Sequence, residues 1–327
     1  MGTTFLERKG VESARLNMEH LLAHALGLKR MDLYRQFDRP LSDEELAPLR
    51  EWTVRRAAGE PLQHLLGTVE FYKFSFRCDG RALIPRPETE ELVEKVIARR
   101  RGGVPGRILD MGCGSGVIGL SLAAAFPMAR VVLADVSVEA LALARENAAL
   151  VAAQLAAVAA VPVYVPLGGE AEVKGGVKVA EEAAAGRGAE REATASGAVE
   201  AAFLDRLNFI KSDLWAGFGE AGEGDRFDVL VANLPYIPRE EVVTLSREVQ
   251  RDPELALVGG EAGSELMERF LAGARRQCAP GALVALEHGP DQGEVVGDAL
   301  KAADFESISL ERDMSGRMRF SFGTAAL

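Results

Sequence analysis

The chain is poor in cysteine. Cys78, Cys113 and Cys278 are the three it has in 327 residues, and they stand far apart. An odd, scattered set builds neither a disulfide framework nor a zinc pattern, and it suits a reducing, cytoplasmic setting. Positive charge is also short: 38 Lys and Arg face 49 Asp and Glu, for a net charge of −11 and a pI near 5.1. Broad capture of nucleic acid relies on cations that neutralise phosphates, so no direct nucleic-acid binding is expected. The opening stretch MGTTFLERKGVESARLN has no apolar core of signal-peptide type. One uncharged run, residues 148–169, is long enough to consider as a membrane span. It is mostly alanine, holds Pro162 and Pro166, and interrupts an α/β pattern, so no membrane partner is expected. His20 and His24 share one predicted helix face, but no nearby acid completes a site, and no metal is expected.

What the chain does have is ordered. Residues 1–67 read as a helical domain suited to docking a substrate, with Ser42-Asp43-Glu44-Glu45 as a capped helix start. Residues 68–90 read as a hairpin and a proline strap. Val69, Phe71, Phe74 and Phe76 mark the hairpin, and Pro85 and Pro87 stiffen the chain on either side of Arg86. Such a strap can lie over a pocket and project Arg86 or an acid such as Glu90 inward. From residue 91 to 327, apolar strands alternate with helices. Strands are predicted at Arg107–Met111, Val131–Asp135, Leu207–Lys211, Phe227–Ala232 and Leu283–Glu287. Two more, Phe305–Leu310 and Met318–Phe322, follow without a helix between them. This predicts an α/β fold, a parallel sheet covered on both faces. Residues 151–202 are low in complexity, dominated by Ala, Val, Gly and Glu, and read as a helix extension followed by a mobile surface insertion.

Two stretches carry chemistry. Asp110-Met111-Gly112-Cys113-Gly114-Ser115-Gly116 joins a strand to a helix through a tight loop. Glycines let a backbone pass close to a ligand, and the helix start favours an anionic group. Asp135 ends the next strand, where a carboxylate can accept both hydroxyls of a ribose. The loop fits D-x-G-x-G-x-G, typical of S-adenosylmethionine enzymes. It equally fits the G-x-G-x-x-G of dinucleotide enzymes. The second stretch, Asn233-Leu234-Pro235-Tyr236, follows an apolar strand and would sit at its carboxyl end. Asn233 offers an amide acceptor, Pro235 biases Leu234 to aim its carbonyl outward, and Tyr236 offers an aromatic face. Together they clamp a planar NH2 group. Hydride transfer has no use for such a clamp, so it decides for S-adenosylmethionine. Asp213, at another strand end, could accept from an adenine amine, with Leu214 or Trp215 against the ring. His288 could be a general base or a structural hydrogen-bonder.

LLGTVEFYKFSF, LIPRPETEELVE, ILDMGCGSGVIGLSLA, ADVSVEALALAREN, FDVLVANLPYIP, LALVGGEAG and LEHGPDQGE occur in this order. Over residues 10–150 and 203–322 the chain resembles the PrmC/HemK protein-(glutamine-N5) methyltransferases. The resemblance implies a seven-stranded, Rossmann-like class I S-adenosylmethionine-dependent methyltransferase sheet with a small N-terminal helical domain. It implies methyl transfer to the side-chain nitrogen of the glutamine in the Gly-Gly-Gln loop of class I peptide chain release factors. It gives Asp110 and Gly112 through Gly116 to the cofactor loop, Asp135 to the ribose, and Asp213 and Leu214 to the adenine. Asn233, Leu234, Pro235 and Tyr236 become the catalytic residues that hold the substrate, with Asn233 also touching the cofactor. The family usually has proline where Leu234 stands, and it lacks the insertion. Asn-Leu-Pro-Tyr also occurs in rRNA adenine dimethyltransferases, so methylation of a nucleic-acid adenine is the alternative. A nicotinamide oxidoreductase and a non-catalytic binding module of the same fold are more distant ones.

Overall fold

The computed structural model describes residues 1–100, 103–159 and 196–327. Four helices open the chain: α1 (Gly2–Arg8), α2 (Ala14–Ala25), α3 (Asp43–Ala57) and α4 (Leu62–Leu66). Ser42 accepts from the backbone N–H of Glu45 while the Glu45 carboxylate accepts from that of Ser42, so the expected cap of α3 is a full capping box. Leu21, Leu49 and Leu65 form a small core between these helices. His24 lies tilted against Trp52, with ring centroids 5.2 Å apart. Among the described residues no three His, Cys, Asp or Glu side chains gather as a metal site.

The hairpin follows as β1 (Thr68–Phe71) and β2 (Phe74–Arg77), then the strap, then α5 (Pro87–Arg100). The rest alternates as β3 (Arg107–Met111), α6 (Val117–Ala125), β4 (Arg130–Asp135), α7 (Val138–Ala159), α8 (196–204), β5 (Leu207–Lys211) and β6 (Phe227–Ala232), with α8 a helix where the sequence predicts the end of the mobile insertion. β7 (Ile237–Pro238) and β8 (Val258–Gly260) pair in a small side sheet, and α9 (Glu265–Gln277), β9 (Cys278–Glu287), α10 (Gly293–Ala302), β10 (Phe305–Arg312) and β11 (Met318–Ala325) complete the chain. The main sheet has seven strands in the order β10-β11-β9-β6-β3-β4-β5. Its β5, β4, β3, β6 and β9 run parallel, and β11 and β10 close it antiparallel.

Alternation along each strand feeds two cores. Ile108, Val131, Leu133, Val229 and Val231 face α5, α6 and α7. Leu109, Met111, Val132, Leu230 and Ala232 face α9 and α10. α7 is the one helix among the described residues long and apolar enough to cross a membrane. Its Ala148, Val151, Ala152 and Ala156 are buried in the core, which accounts for their apolar character without a bilayer. The helix extension past residue 150 thus belongs to the fold as far as Ala159, and Phe203 of α8 is buried against it too. The remainder of the expected insertion, 160–195, lies outside the described residues.

Strand order places the site. The chain goes from β3 outward to β4 and β5, then returns to the other side of β3 as β6. Crevices form where the order reverses like this, at the carboxyl ends of the strands. Met111 pairs with Ala232, so the glycine loop and Asn-Leu-Pro-Tyr leave the sheet side by side. Gly116 caps α6 at φ +83°, and a Cβ there would lie 3.1 Å from both Ala144 and Leu120. Gly116→Ala is expected to lower stability by about 1–3 kcal/mol, read as a urea midpoint, and an unchanged midpoint would contradict this packing.

Candidate active site

A cavity of about 470 Å3 opens past the ends of β3, β4 and β6. That size is ordinary for a small-molecule site. The glycine loop, Asp135, Leu214, Asn233, Leu234, Pro235 and the strap all border it.

The loop is held by its own backbone. Gly112 N–H and Cys113 N–H both donate to Ala134 O, at 2.8 and 3.0 Å, and Gly116 N–H donates to Cys113 O at 2.7 Å. Gly112 has φ +69°, and a Cβ on it would stand 2.7 Å from Leu234 Cδ2. Gly114, Cys113 and Ser115 line the cavity, and among the described residues, chain neighbours aside, Ala82 alone comes within 4 Å of where a Gly114 Cβ would be. Asp135 accepts from Gly114 N–H and Ser137 N–H, each at 2.8 Å. A carboxylate has about four acceptor positions, so it keeps capacity for a ribose hydroxyl. Burial raises the Asp135 pKa, and the backbone N–H groups of Ser137, Gly114 and Val136 oppose the shift. An open glycine cradle beside an acid with spare acceptor positions, in a cavity of this volume, fits S-adenosylmethionine.

Asp110 and Gly116 do not line the cavity; they shape the loop from beneath. Asp110 is wholly buried. Its Oδ2 accepts from Gly119 N–H at 2.8 Å and its Oδ1 has no partner among the described residues. Burial pushes its pKa up to about 7. On the adenine side Leu214 lines the cavity, in a left-handed turn at φ +48° whose carbonyl accepts from Ser212 Oγ at 2.5 Å. Asp213 also reaches the wall, but its carboxylate is engaged by Arg269 at 3.2 Å. Trp215 turns away from the cavity, stacked on Phe270 at 5.2 Å with its Nε1 donating to Phe270 O.

The substrate half is partly as expected. Asn233, Leu234 and Pro235 line the cavity; Tyr236 does not. Arg319 donates to the Tyr236 hydroxyl at 3.2 Å and Gln292 donates to its carbonyl at 2.8 Å, which holds the residue to the side of the wall. Burial pushes its phenol up to about 12. Arg86 does line the cavity, with its guanidinium donating to the buried Asp252 carboxylate at 2.8 Å. This ion pair ties the strap to the stretch after β7. Glu90 is off the wall, and Thr89 stands there instead. His288 is wholly buried, with its ring nitrogens 2.8 Å from Gly289 O and Ser321 Oγ, so it is the structural hydrogen-bonder of the two readings.

Sequence reasoning passed over Thr89 and Glu287. Asn233 Nδ2 donates to Thr89 Oγ1 at 3.1 Å, and Thr89 Oγ1 donates to Glu287 Oε2 at 2.8 Å. Glu287 is fully buried and its pKa rises to about 7, with burial the main cause and the Thr89 bond opposing it. The available signal was an acid closing the otherwise apolar run of β9.

Asp110 generates a test. Folded, it keeps its proton up to about pH 7, against a carboxyl near 3.8 unfolded. The folded state therefore binds more protons between those values, and its stability falls as pH rises through them. Asp110→Asn does not titrate. Without cofactor, the wild type is expected to lose stability relative to Asp110→Asn from about pH 4 to pH 7 in urea unfolding. A pH-independent difference would rule out the buried, proton-holding carboxyl.

Residues 1–67 match the family described as PrmC N-terminal domain, and residues 88–170 match the one described as methyltransferase small domain. The chain is 33% identical over 313 residues to the release factor glutamine methyltransferase of Geobacter sulfurreducens, across 95% of this chain and 90% of that one. It is 35% identical over 316 residues to the protein of the same name from Moorella thermoacetica, across 95% and 91%. The solved protein-(glutamine-N5) methyltransferase (release factor-specific) of Alicyclobacillus acidocaldarius overlaps 77% of this chain and 100% of its own, at 21% identity and a TM-score of 0.37. Identity above 30% over nearly the full length settles the family: the chain belongs to the release factor glutamine methyltransferases, S-adenosylmethionine-dependent enzymes.

Proposed function

We propose that this enzyme methylates the side-chain nitrogen of the glutamine in the Gly-Gly-Gln loop of class I peptide chain release factors, in the cytoplasm, with Asn233 and Leu234 as the clamp. The observation that carries the reading is the engagement of the Asn233 NH2 group by Thr89, on the cavity wall beside the glycine loop. It leaves the Asn233 carbonyl oxygen as the group to offer a substrate N–H.

S-adenosylmethionine supplies an activated methyl group when bound. Gly112 through Ser115 and Asp135 would hold it, with Leu214 on the side of the wall left for its adenine. A carboxamide nitrogen is a weak nucleophile because its lone pair is delocalised. Asn233 Oδ1 and the Leu234 carbonyl accept its two N–H bonds, orient it, and stabilise the positive charge that grows on it during attack. The excess proton leaves to water after the N–C bond forms. Leu234 keeps the carbonyl that proline would offer at this position. Its side chain is buried and meets the glycine loop, which offsets the loss of the stiffness that proline would add.

The helices of residues 1–67 serve as the docking surface for the release factor. Arg56, buried in α3, donates to Asn17 of α2 at 2.7 Å and pairs with Glu248 in the stretch that borders the cavity. A partner seated on the helices is therefore coupled to the cavity's rim.

Two outcomes test the reading. Incubation with labelled cofactor and a release factor is expected to label the loop glutamine and to fail once that glutamine is replaced; labelled rRNA with an unlabelled release factor would favour the adenine alternative. Asn233→Ala is expected to cut turnover by about 10²-fold, the scale of losing one preorganised polar contact, with cofactor affinity nearly unchanged. Near-normal turnover in that variant would refute the clamp.

A further inference from the structure

We infer that Thr89 and Glu287 are positioning residues that lock the Asn233 carboxamide with its oxygen toward the substrate. The inference rests on Asn233 acting as the clamp.

The number of protons available fixes the orientation. Thr89 stands in the first turn of α5, 3% exposed, and Glu287 ends β9, 1% exposed. A hydroxyl has one proton to give. Thr89 gives it to the Glu287 carboxylate at 2.8 Å, so toward Asn233 its oxygen can only accept. The Asn233 NH2 group fills that role at 3.1 Å. An Asn233 turned over would set its carbonyl oxygen against a hydroxyl lone pair, with nothing to bond. It would also present NH2 to the NH2 of a substrate amide. The carboxylate thus dictates, through the Thr89 hydroxyl and by itself facing the Asn233 NH2 group, which end of the amide faces the cavity. Three elements far apart in sequence converge to do this, and the hydroxyl and carboxylate are buried where a mismatched polar pair is costly.

The lock depends on charge. A protonated Glu287 can donate to Thr89, which frees the hydroxyl proton for the Asn233 oxygen and allows the amide to turn. The groups facing Glu287 are Arg319 on β11, Glu88 on α5 and the Tyr236 phenol, and the positive Arg319 favours the ionised form. Burial outweighs it and sets the transition at about 7. The lock is closed above that pH and loosens below it.

The experiment measures kcat and KM with a release factor, and the cofactor Kd, across about pH 5.5 to 9 for the wild type, Thr89→Val, Thr89→Ser, Glu287→Gln and Asn233→Ala. Thr89→Val keeps the shape and removes the hydroxyl. It is expected to lower kcat about tenfold, the scale of one orienting hydrogen bond, with cofactor Kd unchanged. Thr89→Ser is expected to stay within about threefold of wild type. Wild-type kcat is expected to fall as pH drops through 7, and Glu287→Gln to lose that limb. A wild-type kcat in Thr89→Val, a Thr89→Ser as slow as Thr89→Val, or the limb persisting in Glu287→Gln would overturn the lock. A slow Asn233→Ala beside any of these leaves the clamp standing without its lock. Normal turnover in Asn233→Ala removes both.

Discussion

Leu234 lies against the backbone of Gly112, so close that a Cβ at position 112 would come within 2.7 Å of it. This contact joins the two halves of the site. One side belongs to the loop that cradles the cofactor, the other to the clamp for the substrate amide. The register of β3 with β6, and the reversal of strand order between them, bring the halves together. Methyl transfer needs donor and acceptor in van der Waals reach and in line, and a gap of even one side chain would spoil it. Glycine at 112 is thus a requirement of proximity as well as of its positive φ.

Around that contact the protein concentrates acids, Asp110, Asp252 and Glu287 buried and Asp135 partly so. Asp110, Asp135, Asp252 and Glu287 all have pKa values raised by burial. Each nonetheless accepts a hydrogen bond that shapes the site. Asp110 ties the loop to α6, Asp135 holds Gly114, Asp252 grips the Arg86 strap, and Glu287 reaches Asn233 through Thr89. Desolvation costs stability, and what it gives in return is a cavity wall of fixed geometry.

The parts legible in the sequence are those whose meaning is local. A strand that breaks into Gly112, Gly114 and Gly116, an acid at the end of the next strand, and Asn-Leu-Pro-Tyr after an apolar run each announce themselves within a few residues. Alternation of apolar segments suffices for the seven-stranded sheet. Orientation on a turn is another matter. Tyr236 is drawn aside by Arg319 and Gln292, and Trp215 by Phe270, because partners distant in the chain decide which way a ring points. Glu90 and Thr89 are adjacent on one helical turn, and only the packing of α5 on the sheet selects the second for the cavity. Thr89, Glu287 and Asn233 have no common signature in sequence, since their relation exists only once three elements have packed.

A crystal structure with S-adenosylhomocysteine and a Gly-Gly-Gln peptide would show where the substrate amide sits. The expected result is the glutamine nitrogen about 3 Å from both Asn233 Oδ1 and the Leu234 carbonyl, facing the cofactor sulfur. A glutamine bound away from that strand end, or one whose nitrogen meets the Asn233 NH2 group, would contradict it.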